Sequence, residues 1–238
     1  MRALISAISL IFLWHVPGPG ADFWQKKPFP DWTPNDLQVL LTDSPWSRRV
    51  LLSLESLGGG PSPAGEPAAR SKASCVKCPA GPVFAAESGG APRMGAPVAV
   101  VVRWLSALPV RQALARVRFG AEVTASADAS ELLNREPEFY VVGISRVPFA
   151  RMPEDLAELK AGTCLKLRSG PPIPVSNVES RREADIVNLV LFFPKGKDRG
   201  RVITLDDREV EVSVKAAALQ LSRKFKLAAM VYRGKLEL

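Results

Sequence analysis

The sequence predicts an α+β fold: a largely antiparallel β-sheet, closed as a sandwich or partly open barrel, with two or three short helices packed on it. Three observations carry this. From Thr163 onward apolar residues recur at period two, most clearly Val210, Val212 and Val214 against Glu211, Ser213 and Lys215, the pattern of a half-buried strand. Two runs, Val98–Leu105 and Ile186–Phe193, are strongly apolar, as buried strands are. Helical spacing occurs only in short stretches with their own start and stop residues.

The elements follow in order. MRALISAISLIFLWHVPGPGA places Arg2 before a 12-residue apolar run, Ala3–Trp14. In a helix that run spans about 18 Å, short of the roughly 30 Å hydrocarbon core of a bilayer. Residues 1–21 therefore read as a signal peptide, and residues 22–238 as a single domain exported to the periplasm or beyond the cell. The cleavage point is undefined, and a buried N-terminal helix of a cytosolic protein and an uncleaved anchor are the competing readings; membrane contact is expected only through this segment. In PFPDWTPNDLQVLLTDSPWSRRV, Thr33 is the N-cap, Pro34 the first helical residue, and Asp36 completes a capping box. Leu37, Leu40 and Leu41 share the apolar face, and Thr42–Pro45 stops the helix. Ser47–Leu54 follows as a strand, with Trp24, Trp32 and Trp46 as packing anchors between helix and sheet.

Leu57–Pro97 then holds 7 of the 21 prolines and 8 of the 17 glycines. Such a stretch lacks the apolar mass to offset ordering entropy, so it reads as a disordered, dispensable insertion between two strands. Structure resumes with the Val98–Leu105 strand and a helix from Pro109 whose face is Val110, Leu114 and Val117. Ala125–Arg135 reads as a short helix, Phe139–Ile144 as a strand, and Met152–Leu159 as a helix entered through Pro153 and stopped near Gly162. Leu165 and Leu167 alternate with Cys164, which should face away from the core, and Ile173–Val178 is an edge strand limited by Pro174. PKGKDRGR (194–201) is a connection, Asp206–Asp207 a turn, and Leu219–Leu227 the strand returning from Val210–Val214. Met230–Leu238 ends in a short edge strand.

The chemistry available is narrow. The formal net charge is +8, but the positives come as scattered pairs such as Lys26–Lys27, Arg48–Arg49, Arg181–Arg182 and Arg223–Lys224. Without aromatic and basic residues interleaved, this argues against a nucleic-acid surface. His15 is the one histidine and lies in the signal, so the mature chain is expected to lack Ser-His-Asp and Cys-His catalysis and His-ligated metals. No phosphate-binding loop, dinucleotide fingerprint, nucleophile elbow or zinc-protease motif occurs. Cys75 and Cys78 form the one CxxC, but no strand precedes and no helix follows to lower a thiol pKa, and a structural zinc needs two further ligands. A small loop disulfide between Cys75 and Cys78 is the expected use; a bridge from Cys164 to either is the alternative that spacing leaves open. No cofactor is expected.

The segments DWTPNDLQVLLTDSPWSRRV, VVRWLSALPVRQAL and RKFKLAAMVYRGKLEL resemble a group of uncharacterised exported bacterial proteins, a likeness that covers most of the chain outside the insertion and implies no site residues. Two functions compete. The first is a non-enzymatic module that binds a protein or cell-envelope component, or serves the envelope. The second is a hydrolase, for example on glycans, using two carboxylates; Asp206–Asp207 is its candidate pair, although neighbours on a strand point to opposite faces.

Overall fold

The computed structural model describes residues 22–52, 98–196, 201–216 and 219–238. Residues 1–21, the segment read as a signal peptide, all of the Gly/Pro-rich stretch with Cys75 and Cys78, and four residues of the basic connection lie outside these.

Strands β1 (Ser47–Leu52), β2 (Val98–Trp104), β3 (Phe139–Pro148), β7 (Ile186–Pro194) and β6 (Asn177–Glu183) make a five-stranded sheet in the order β1-β2-β3-β7-β6. Strands β5 (Ile173–Pro174), β4 (Thr163–Leu167), β8 (Glu209–Ala216) and β9 (Leu219–Lys226) make a four-stranded sheet in the order β5-β4-β8-β9. A hairpin of β10 (Val231–Tyr232) and β11 (Lys235–Leu236) completes the described strands. Every pairing among them is antiparallel.

The alternation read in the sequence sets which face is buried. Val100, Val102 and Trp104 on β2, Tyr140, Val142 and Ile144 on β3, and Val187, Leu189, Leu191 and Phe193 on β7 turn inward. They share one core with Leu165 of β4, Val210, Val212 and Val214 of β8, and Leu221 and Phe225 of β9. Trp104 meets Phe225 edge-on across the two sheets, with ring centroids 5.9 Å apart. The two sheets approach on both sides, the edge strand β1 lying near β9 and the edge strand β5 lying near β7, one strand in from the edge strand β6. The architecture is thus a sandwich drawn toward a barrel.

Five α-helices are described: α1 (Phe23–Lys26), α2 (Pro34–Thr42), α3 (Leu108–Phe119), α4 (Ala127–Asn134) and α5 (Leu156–Ala161). The expected capping box at α2 is present: Thr33 Oγ1 accepts from the Asp36 N–H at 3.2 Å, and the Asp36 carboxylate accepts from the Thr33 N–H at 3.0 Å. Leu40 is fully buried, while Leu37 and Leu41 are half-buried against the core. The tryptophans pack as expected, Trp24 edge-on to Trp46 and Phe23 edge-on to Trp32.

Four local readings need correction. The buried face of α3 is Val110, Gln112, Ala113 and Ala115, and Val117 is 61% exposed. Packing against α2 on one side and α4 on the other selects small residues, which an apolar-stripe count passes over. Helix α5 begins at Leu156, capped by Asp155, whose carboxylate accepts from the Ala157 N–H at 2.7 Å; the chain before it makes only a 3₁₀ turn, Phe149–Arg151. Strand β3 runs on to Pro148 through a register shift between Ile144 and Val147, where Arg146 takes a φ of 66°. Finally, the edge strand expected over 173–178 is two strands, β5 and β6, and β6 continues to Glu183.

Candidate functional site

The sequence singled out few groups, and the structure separates them. Asp207 is 1% exposed and spent on structure: its carboxylate accepts from the Thr204 N–H at 3.0 Å and from the Arg201 guanidinium. Asp206, its neighbour in the 3₁₀ turn Leu205–Asp207, is exposed. The pair does not converge on a common point. Cys164 is half-exposed on β4 beside fully buried Leu165, facing away from the core as read. No group of three or more metal-ligating side chains occurs among the described residues.

The site with binding geometry lies elsewhere, on the outer face of the five-stranded sheet beside α3 and α4. Strand β3 is apolar on both faces. Tyr140, Val142 and Ile144 face the core, so Phe139 and Val141 must face outward. On β7 the same alternation turns Phe192 outward, and it meets Phe139 edge-on at 6.1 Å. Leu105, Leu114 and Leu132 close over these from the helical side, leaving a groove of about 660 Å³. That volume falls within the range of small-molecule sites. Glu138, Asn177 and Arg135 stand among its polar lining residues. The Arg135 guanidinium has no hydrogen-bond or ion-pair partner among the described residues.

One wall is held by Arg111. Its guanidinium donates to the Leu132 and Arg135 carbonyls, the latter at 2.7 Å, and so closes the C-terminal end of α4. A cation there also meets the negative end of the helix dipole. Burial holds the Arg111 pKa below the ordinary guanidinium value, and the charge of Glu237 offsets only part of that fall. Ser106 fixes the other wall, its hydroxyl accepting from the Val141 N–H at 2.9 Å.

A second recess of about 460 Å³ adjoins the groove and shares Ser106, Arg111, Arg135 and Pro137 with it. It is charged: Lys195, Lys235, Glu136 and Glu237 line it beside the two arginines, four positives against two acids. Glu237 is already engaged, accepting from the Leu108 N–H at 3.1 Å at the start of α3. Glu136 lies 3.9 Å from Lys195. At the back of the recess the Tyr140 hydroxyl accepts from the Ile203 N–H at 2.9 Å; burial raises its pKa, and the nearby Asp207 carboxylate adds to the rise.

The sequence contained one sign of this site. A strand apolar on both faces in an antiparallel sheet calls for a second covering layer, and Phe139–Ile144 has that character. The remaining lining comes from positions as distant as 105 and 192, which no local pattern joins. Comparison of the chain with protein-family models, with curated proteins and with solved structures finds no match.

Proposed function

We propose that this chain is a non-enzymatic binding module of the cell envelope, exported by its N-terminal segment, which takes an amphipathic small molecule with an apolar body and an anionic end. The observation that carries the reading is the contiguity of an apolar groove with a recess in which positive charge is in excess. An acyl or aromatic body fills the space over Phe139, Val141 and Phe192. An acidic end reaches Arg135 and the lysines beyond it. Export rests on the short apolar run behind Arg2.

Anilinonaphthalene sulfonate and decanoate both have this chemistry. Titration of the full chain with the dye should give saturable binding, with decanoate displacing it. Leu132→Asp puts a charge on a side chain that is 42% exposed, so folding should survive. It should weaken dye binding at least about tenfold, or about 1.4 kcal/mol. Arg135→Gln should weaken decanoate more than it weakens decanol. Absence of saturable binding, or indifference to both substitutions, refutes the reading.

A further inference from the structure

We propose a second ligand site, for a phosphoryl-type oxyanion, in the recess where α2 meets the open sheet edges β1 and β9. Three arginines line one space of about 490 Å³: Arg48 and Arg49 from β1 and Arg223 from β9. Asn35 and Gln38, on α2, add amide donors to the same space. The only acid among the lining residues is Asp43, which pairs with Arg48 at 2.9 Å. Among the described residues Arg49 reaches only the uncharged Thr42 hydroxyl, at 3.4 Å. Two positive charges are therefore left without a counter-charge among the described residues.

Arg223 carries the argument furthest. It occupies an inward position in the alternation of β9, between buried Leu221 and buried Phe225. Its Nε is buried without a hydrogen-bond partner among the described residues. An inward charge on an edge strand is one way proteins prevent edge-to-edge pairing. That role needs a charge but does not need an orphaned donor, which costs free energy unless an acceptor arrives. Planar guanidinium forks with no carboxylate to answer them fit an oxyanion with several acceptor oxygens. The same phosphoryl chemistry is offered by a phospholipid headgroup and by a soluble phosphate compound. This site shares no residue with the groove and does not rest on that reading.

The test uses the full chain, with inorganic pyrophosphate followed by calorimetry. In parallel, sedimentation with vesicles of 30% phosphatidylglycerol in phosphatidylcholine is compared with phosphatidylcholine alone. Arg223→Gln and, separately, the exposed Arg49→Gln remove guanidinium donors, and Arg181→Gln on β6 controls for loss of one surface charge. Saturable pyrophosphate binding weakened about tenfold by Arg223→Gln and by Arg49→Gln, but not by Arg181→Gln, supports the site with a soluble ligand. The same pattern for anionic vesicles, without pyrophosphate binding, supports it with a headgroup. Should Arg223→Gln unfold the chain, Arg49→Gln decides alone. No binding of either probe, or equal losses in all three variants, overturns the proposal.

Discussion

At the scale of single residues, the strongest expectations concern α2. Leu40 is fully exchanged from water into the core, so Leu40→Ala should cost about 2–5 kcal/mol in chemical denaturation. A loss under about 0.5 kcal/mol would place it with surface substitutions. Asp36 makes a pH-dependent contribution. Partial burial pushes its pKa up, but the hydrogen bonds from Thr33 and the ammonium of Lys27 outweigh this and hold it below the usual carboxylate value. A pKa lowered by folding stabilises above the unfolded value of about 3.9, and the benefit is lost as pH falls through the folded value. Asp36→Asn should therefore cost about 0.5–2 kcal/mol at pH 7. The gap to the parent chain should close progressively below about pH 4. Urea melts at pH 7 and pH 3 measure this, and a gap that persists at pH 3 would assign the effect to shape instead of charge.

At the scale of elements, Gly162 shows why a turn that reads as a simple stop is a packing constraint. A Cβ there would sit 1.7 Å from the Lys215 carbonyl oxygen, and the Gly162 carbonyl accepts from the Lys215 N–H at 2.9 Å. The backbone of β8 passes directly over the end of α5. Gly162→Ala should cost at least about 1–3 kcal/mol by overpacking, read as a lowered denaturation midpoint; an unchanged midpoint would mean that the two backbones can part freely. The sequence marked this glycine only as the end of a helix. What it made legible were elements with a buried face and local end signals: α2 through Thr33 and Asp36, β8 through its three valines, β2 through its β-branched run. It hid β6, because Asn177–Glu183 lies at a sheet edge where nearly every side chain meets water, so no apolar period survives. It misplaced the face of α3 because alanines, which carry little apolar signal, make up part of the buried face. The groove was legible only as an excess of apolar residues on β3, and the arginine recess only as two of several basic pairs.

At the scale of the whole molecule, the register of the first hairpin gives a prediction about the long stretch inside it. β1 and β2 pair without a shift from Ser47↔Arg103 to Leu52↔Val98. Their open ends are therefore direct neighbours, and a two-residue Asn-Gly connection suffices to join them. Replacing residues 53–97 with such a turn should leave the unfolding midpoint within about 5 °C, the shift of roughly 1–2 kcal/mol in a domain of this size. A larger fall in a thermal melt would show that the replaced residues support the sandwich. The opposite extreme of sequence distance closes the other end of the molecule. Gln25 donates to the Val231 carbonyl at 2.6 Å across 206 positions, and the Trp46 indole N–H donates to the Glu237 carbonyl at 3.0 Å across 191. The Tyr232 ring stands edge-on to Trp46, and its hydroxyl donates to Gln112. A ribosome thus delivers Trp46 long before the hairpin that packs on it, an interval on the order of 10–40 s at ordinary synthesis rates. Throughout it the aromatic surface is open and adhesive, a natural client for a holdase chaperone.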